Sequence, residues 1–173
     1  LWYYNNAIGR PEKKKIISRK RGYHGITIAS GSLTGIPTFH KEFDLPLPGV
    51  MHVTCPHYYS EGLPGETEVQ FVDRLLAELE QLILQEGAET IAAFIAEPIQ
   101  GAGGVVVPPQ GYLPRVAQLL AEQDILFIDD EVICGFGRTG QPFGAQTFGI
   151  KPTTMSLAKA LSSAYLPISA VLL

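Results

Sequence analysis

The sequence predicts an α/β domain in which helices flank a mostly parallel sheet. Its 173 residues are 46% hydrophobic and 17% charged, which excludes a disordered tail and provides enough apolar side chains for a core. Three short apolar runs, at 90–96, 125–129 and 154–157, have the character of buried strands. A helical pattern at 114–122 separates the first two runs, and strand, helix and strand in succession form a right-handed βαβ unit.

The first third of the chain predicts one strand, one short helix and a long irregular segment. Lys15–Arg19 is a strand candidate that ends before Gly22. Residues 26–33 are rich in small side chains and predict a helix behind Tyr23-His24-Gly25. Residues 35–66 are rich in proline and glycine without sustained periodicity, so we expect an irregular excursion there. Ordered excursions of this length tend to be functional or to build interfaces.

The remaining elements follow from periodicity. Residues 67–85 predict the clearest helix, because their apolar side chains recur at three- and four-residue steps. The side chains of this face are Phe71, Val72, Leu75, Leu76, Leu79, Leu82 and Ile83. Pro114 suits the first turn of the 114–122 helix. Residues 101–112 form a loop rich in glycine and proline, and 168–173 predict a last strand.

Basic residues are concentrated at the start of the chain. Residues 1–24 hold seven of the thirteen lysines and arginines and one acid, whereas the whole chain carries a net charge of −4. Such a run can bind nucleic acid or lipid. We favour a solvated turn that enters a strand, because Lys13, Lys14 and Lys15 directly precede Ile16. No nucleic-acid-binding motif is present, and no apolar run approaches the roughly 20 residues that span a bilayer.

Two cysteines, Cys55 and Cys134, form no disulfide framework and indicate a reducing compartment, here predicted as the cytoplasm. The chain begins without methionine, and its last residues resemble a strand cut within a sheet. We therefore expect a fragment of a longer protein.

Charged side chains follow three of the predicted strands. Glu97 follows 90–96, the acids Asp129, Asp130 and Glu131 end the next strand, and Lys159 follows 154–157. In parallel sheets, ligands bind at the carboxyl ends of the strands, so these groups are expected to converge in one crevice. Each has an ordinary alternative, since a strand-end acid often caps a helix and a lone lysine is usually a surface residue.

The surroundings of Lys159 favour a chemical role. It is the only charged residue after Lys151, and its neighbours in the sequence are small or apolar. Dry surroundings disfavour the ammonium form and make the amine a nucleophile.

Two glycine-rich motifs are candidates for phosphate-binding loops. Residues 135–140 match G-x-G-x-x-G after a strand, but no helical pattern opens within the motif, and the residue about 20 positions on is Ala160 rather than an acid. We therefore reject a dinucleotide site and predict a tight turn close to the crevice. The 101–104 loop is a weak phosphate cradle because no helix begins directly after it.

Taken together, these motifs resemble those of the class III pyridoxal-phosphate aminotransferases. The resemblance rests on Tyr23-His24-Gly25, on 97–104 (EPIQGAGG), on 130–140 (DEVICGFGRTG) and on Lys159 within 158–165 (AKALSSAY), in the family's order. The proline-containing stretches at 46–48 and 62–67 look like the ω-amino acid or amine:pyruvate branch. The resemblance spans essentially the whole chain and implies a pyridoxal-phosphate-dependent transferase of fold type I.

The resemblance implies roles for individual residues. Lys159 corresponds to the lysine that forms the Schiff base with pyridoxal 5′-phosphate and then transfers the substrate proton. Asp130 corresponds to the acid that keeps the pyridinium nitrogen protonated. Val132 corresponds to the residue that packs on one ring face. Asp129 points to the other side of the strand and is given no cofactor role.

Three further cofactor-binding residues are implied, and one arginine is assigned a structural role. Tyr23 resembles the aromatic side chain stacked on the ring face opposite to Val132. His24 is a candidate supporting residue, with a purely structural role an equal alternative. Glu97 resembles the family acid that supports Asp130 through hydrogen bonds. Arg138 is interpreted as structural and tied to a nearby acid, and no metal site is predicted.

The resemblance also implies missing parts. Residues 1–173 correspond to the central part of the large, cofactor-binding domain. The Gly-Ser phosphate-binding turn would precede them. The partner subunit's phosphate-binding threonine, the substrate-carboxylate arginine and the small C-terminal domain would follow. The whole protein is expected to be a homodimer, and the isolated segment is expected to be inactive.

The implied activity is transfer of an amino group from an amine or ω-amino acid to a keto acid such as pyruvate. Two alternatives stay open at this stage. One is another pyridoxal-phosphate reaction on the same fold, by an aminomutase, racemase or decarboxylase. The other is an inactive truncated remnant.

Overall fold

A six-stranded sheet forms the central layer of the computed structural model, which describes residues 1–173. The strand order is β2-β1-β3-β4-β5-β6. The strands are β1 (Lys15–Arg19), β2 (Val50–Val53), β3 (Ile91–Ala96), β4 (Leu126–Asp130), β5 (Thr154–Leu157) and β6 (Ala170–Leu172). All neighbouring pairs are parallel except β5 and β6, which are antiparallel. The predicted α/β class with a mostly parallel sheet is confirmed.

Helices cover this sheet and fill its connections. They are α1 (Trp2–Ala7), α2 (Ile28–Leu33), α3 (Tyr58–Glu61), α4 (Glu68–Glu86), α5 (Tyr112–Glu122) and α6 (Gly144–Phe148). None of them combines the length and the apolar character that a membrane-crossing helix needs.

The strongest sequence patterns predicted their elements to within about two residues. Helix α4 begins after Thr67, whose hydroxyl and backbone exchange hydrogen bonds with Gln70 in a capping box. Strand β3 is buried at all six positions, as its continuous apolar run predicts. Strand β4 lies one residue further along than predicted and so includes Asp130.

The prediction of an irregular excursion at 35–66 is wrong for Val50–Val53, which forms the edge strand β2. This strand runs parallel to β1, with Val50 beside Ile16 and Val53 beside Arg19. Four residues between turns carry no periodic signal of their own. The parallel partner β1 supplies the hydrogen bonds, so the strand is decided by tertiary contact.

The core lies between the sheet and helices α4 and α5. Phe71, Leu79 and Ile83 of α4 pack into one buried cluster with side chains of the sheet. Within that cluster the rings of Phe94 and Phe127 meet edge to face, with centroids 6.0 Å apart. This packing fixes the positions at which the central strands end.

Truncation of Leu79 tests this assignment of the core. Leu79→Ala is expected to lower the free energy of unfolding by about 2–5 kcal/mol, because it removes a fully buried side chain and leaves a cavity. Urea-induced unfolding of the purified protein measures the loss. Leu84→Ala on the same helix is the matched control, since Leu84 is 78% exposed and should change stability little. Equal losses in the two variants would contradict the assignment.

The basic residues near the start of the chain are used within the fold. Lys13 is buried, and its ammonium lies 3.1 Å from the Asp124 carboxylate. The Arg10 guanidinium lies 2.5 Å from the same carboxylate. Lys15 pairs with Glu86 at 2.8 Å. The predicted entry into a strand is confirmed. The prediction of a solvated turn is wrong for Lys13, because its ammonium contacts Asp124 in the connection between α5 and β4.

Candidate functional site

The chemically capable side chains gather at one edge of the sheet. Because β1, β3, β4 and β5 run parallel, their carboxyl ends face the same way. Tyr23 and His24 follow β1, Glu97 follows β3, Asp130 ends β4 and Lys159 follows β5. This topology confirms the predicted placement at one edge of the sheet, whereas a crevice common to all these groups stays a prediction.

Asp130 is held by two contacts. Its Oδ2 lies 2.7 Å from Nδ1 of His24, and its Oδ1 accepts a hydrogen bond from the backbone N–H of Val132 at 3.2 Å. Only 9% of the Asp130 side chain and 3% of the His24 side chain are exposed. The backbone N–H of His24 in turn donates to Thr34 Oγ1 at 2.9 Å. Each carboxylate oxygen of Asp130 thus contacts a different partner, and the two contacts fix the position of the carboxylate.

Glu97 connects the segment after β1 to the loop after β3. Its Oε1 accepts from the backbone N–H of Tyr23 at 3.0 Å, and its Oε2 accepts from that of Gly101 at 2.9 Å. Burial raises the pKa of Glu97, and the two backbone donors partly offset that rise. Glu97 supports Asp130 indirectly, because the Tyr23-His24 segment that it holds carries the histidine partner of Asp130.

A cavity of about 510 Å³ lies beside these strand ends. Its lining includes Val132, Arg138 and Lys159 together with mainly apolar residues. The residues that complete the lining are Ile99, Gly101, Val105, Ile133, Cys134 and Ala160. The structure thus brings together an amine and the predicted ring-packing valine.

The dry surroundings predicted for Lys159 are not found in this structure. The residue is exposed, and much of the 160–169 segment after it lies at the surface. Small neighbours such as Ala158 and Ala160 cannot cover a four-carbon side chain. The backbone of Lys159 adopts a left-handed conformation, with φ of 46°. Such strain in a residue other than glycine is typical of functional sites.

The two glycine-rich motifs form turns, not helix-opening loops. Within 135–140 no helix begins, and the five-residue helix α6 starts only at Gly144, so the predicted turn is confirmed. At Gly103 a Cβ atom would lie 2.2 Å from the backbone oxygen of Arg21. The Arg21 guanidinium donates to the Gly103 carbonyl from Nε at 2.9 Å and from Nη2 at 2.6 Å. This glycine is needed for close approach of two chain segments.

Comparison with known protein families identifies the family to which the chain belongs. A family profile described as Aminotransferase class-III matches residues 1–173. The chain belongs to the class III aminotransferases. Its similarity to individual members is high in both sequence and structure.

Among curated class III relatives, the chain is 60% identical to "Gamma aminobutyrate transaminase 1, mitochondrial" of Solanum lycopersicum, over 99% of the chain and 33% of that protein. It is 59% identical to "Vanillin aminotransferase" of Capsicum frutescens, over 99% of the chain and 38% of that protein. The crystal structure of the omega transaminase from Pseudomonas jessenii in complex with PMP is 63% identical, with a TM-score of 0.98 over 99% of the chain and 38% of that structure. The chain therefore spans about a third of the length of the curated relatives that it matches.

The surroundings of Tyr23 and Arg138 in this aminotransferase chain differ from those that the sequence analysis predicted. The Tyr23 ring packs edge to face against Phe39, with centroids 5.7 Å apart, and its stacking role stays a prediction. Arg138 makes no ion pair and is exposed at the cavity, so the expected tie to an acid is wrong. The reason is its place on the exposed 135–140 turn, where no carboxylate comes within reach.

Two supporting residues were not predicted from the sequence. Thr34 accepts from the His24 backbone and donates to the Gly25 carbonyl at 2.9 Å, which holds the turn after β1. Arg21 holds the glycine-rich loop after Glu97. The Thr34–His24 and Arg21–Gly103 contacts join residues ten or more positions apart, and no spacing rule connects them. The YHG motif itself was the one signal that pointed to this turn.

Loss of the His24 contact should weaken the site without destroying it. In the full-length protein, His24→Leu is expected to lower kcat/KM by about ten- to a hundredfold, because a hydrogen bond to a charged group is worth about 1.5–3 kcal/mol. His24→Asn should retain more activity, since its amide nitrogen can replace Nδ1. Steady-state kinetics of both variants measure the difference. Equal activity of wild type and His24→Leu would contradict a supporting role.

Proposed function

We propose that the protein containing this chain is a pyridoxal-phosphate-dependent aminotransferase, which moves an amino group from an amine or ω-amino acid to a keto acid such as pyruvate. Class III aminotransferases use pyridoxal 5′-phosphate, and a solved relative is described in complex with PMP. The observation that carries the proposal is the shared sheet edge, where Asp130 is held by His24 at 2.7 Å and Lys159 lines the adjoining cavity.

The residues present fit this cofactor by their chemistry. A fixed, mostly buried carboxylate is the group that keeps a pyridinium nitrogen protonated, and Asp130 is such a carboxylate. A primary amine at the wall of the adjoining cavity is the group that would hold an aldehyde, and Lys159 provides it. When bound, the cofactor supplies an electron sink for charge that develops on the substrate carbon.

The chain's own residues then have distinct tasks. The Asp130 carboxylate would hold the ring nitrogen of the cofactor, and His24 and the Val132 N–H orient its two oxygens. Val132 and Tyr23 would pack against the cofactor ring. Glu97 fixes the Tyr23 backbone and thereby the spacing of these groups. The free amine of Lys159 removes the proton from the amine-bearing carbon of the substrate.

The residues are proposed to form the central part of the large domain of a homodimeric protein. The support is the share of the relatives that is matched and the exposed apolar side chains after Lys159. Among these are Tyr165, Leu166 and Ile168, which are 89%, 71% and 55% exposed. A surface of this kind suits coverage by further protein. By this proposal the isolated 173 residues show no turnover.

A reducing compartment such as the cytoplasm is proposed for the protein. The support is that Cys55 and Cys134 are both free and buried. Curated relatives carry names that place them in mitochondria or chloroplasts. Imaging of a fluorescent fusion of the full-length protein tests the cytoplasmic location, and signal in either organelle would overturn that location.

The activity is tested by product balance. The full-length protein is incubated with pyridoxal 5′-phosphate, pyruvate and γ-aminobutyrate or a primary amine, and alanine and the donor's carbonyl product are quantified. Equal amounts of the two products are expected. Release of CO₂, or rearrangement of the donor without alanine, would identify a different reaction of the same fold. No turnover with a panel of amines would reject the proposed activity.

A further inference from the structure

Asp129 and Glu131 form a buried carboxyl pair on the side of β4 away from His24. They lie two positions apart, so their side chains leave the strand end in the same direction, opposite to Asp130. Both residues have an exposed fraction of 0%. Two neighbouring positions on one side of this strand end therefore carry fully buried carboxyl groups.

This pair has almost no donors. Glu131 Oε1 accepts from the backbone N–H of Ala145 at 2.7 Å, but Glu131 Oε2 and both oxygens of Asp129 meet no N–H or O–H group. Neither carboxylate forms an ion pair. Two adjacent buried charges of the same sign without donors would be very costly, whereas one proton between them removes a charge and creates a hydrogen bond.

The cation nearest in the fold is Arg19 at the end of β1. Extending the register of β1 with β3 by two residues places Arg19 beside Ala96, which is itself paired with Asp129. The fully buried Arg19 guanidinium donates from Nη2 to the backbone oxygen of Glu97. One positive charge on this side of the sheet balances one negative charge, not two.

We propose that Asp129 and Glu131 share a single proton at neutral pH and act as a positioning pair for the 131–138 turn, which forms the cavity wall beside Lys159. The functional part of this inference rests on the proposed aminotransferase activity, whereas the shared proton does not.

The titratable groups around the pair support a neutral Asp129. Burial, with Glu131 and then Asp130 adding to it, raises the pKa of Asp129 to about 9, and Arg19 opposes the rise. In the following turn, burial raises the pKa of the Cys134 thiol to about 11. On α5, Tyr112 is buried, and desolvation raises the pKa of its hydroxyl. Burial also raises the pKa of Glu97, at the end of β3.

Glu131 is the member of the pair that contacts the neighbouring elements. Its backbone N–H donates to the Ser156 carbonyl of β5 at 3.0 Å, and its own carbonyl accepts from Gly135 at 2.9 Å. Its carboxylate holds the start of α6 through Ala145. A hydrogen bond from Asp129 to this carboxylate would keep it aimed at Ala145, and so keep the turn that carries Val132 and Arg138 in place.

The pH dependence of stability gives a readout specific to the shared proton. Unfolded Asp129 releases its proton near pH 4, whereas folded Asp129 keeps it to about pH 9. Between these values the unfolded state binds fewer protons, so wild-type stability falls as pH rises, by about tenfold in the unfolding equilibrium per pH unit. Asp129→Asn has no such proton, and its stability relative to wild type should therefore rise with pH across this range.

The experiment compares the urea midpoints of full-length wild type and Asp129→Asn from about pH 5 to about pH 9. A gap that widens with pH in favour of Asp129→Asn is expected. Glu122→Gln, an exposed acid on α5, is the matched control and should show a constant gap. A constant gap for Asp129→Asn would overturn the shared proton.

Infrared spectroscopy and kinetics complete the test. At neutral pH, wild type should show a carboxylic-acid C=O band that Asp129→Asn lacks, and absence of that band in wild type would overturn the proposal. Asp129→Asn, whose amide still donates to Glu131, should keep a higher kcat than Asp129→Leu. Equal kcat in these two variants would overturn the positioning role. A wild type that fails to transaminate would instead reject the proposed function, while the stability and infrared measurements would still test the shared proton independently.

Discussion

Replacing Lys159 with alanine in the full-length protein is expected to lower kcat/KM by about 10²–10⁴-fold or more, the largest effect predicted for any side chain of this region. By the proposed function, the variant lacks both the amine that would hold the cofactor and the base that would take the substrate proton. Because Lys159 is exposed and makes no hydrogen bond through its side chain, the fold should survive the change. Coupled-assay kinetics and a thermal melt of the same sample measure the two quantities.

Lys151 provides the matched control for this prediction. It is also exposed and precedes β5, whereas Lys159 follows that strand. Lys151→Ala should retain wild-type activity. In wild type treated with pyridoxal 5′-phosphate and borohydride, peptide mass spectrometry should find the reduced adduct on Lys159. Adducts scattered over Lys13, Lys14 and Lys20 with none on Lys159 would contradict its assignment.

Asp130→Asn is expected to lower kcat/KM by at least about a hundredfold. The substitution keeps the size of the side chain but removes the negative charge that would hold a proton on the ring nitrogen. An amide can still contact His24, so the loss reports the charge and not the packing. The same steady-state assay, run with the variant saturated in cofactor, measures the effect.

Asp73→Asn is a suitable control for the change of acid to amide. Asp73 is exposed on α4, and its carboxylate pairs with Arg115. It should leave kcat/KM unchanged. An Asp130→Asn variant with wild-type activity and cofactor affinity would show that another group fills the role assigned to Asp130.

Local sequence determined the elements whose side chains repeat in step with their backbone. Helix α4 has an apolar face and a capping box from Thr67 and Gln70, and both are readable from adjacent residues. Strand β3 is apolar at every position because both faces of a central parallel strand are covered. The order of these elements also placed Glu97, Asp130 and Lys159 after neighbouring strands, and so predicted one site.

Tertiary structure alone decided the contacts that join distant segments. Strand β2 exists because β1 offers it a hydrogen-bonding edge, and β6 is antiparallel because the connection from Leu157 to Ala170 holds no crossover helix. The 2.7 Å contact of His24 with Asp130 spans 106 positions in the sequence. The small neighbours of Lys159 likewise did not predict its exposure, because burial depends on what packs over a side chain. The sequence by itself thus determined the residues proposed to carry the chemistry and the strands that present them. The fold decided which groups touch, because long-range contacts depend on three-dimensional packing and not on local spacing.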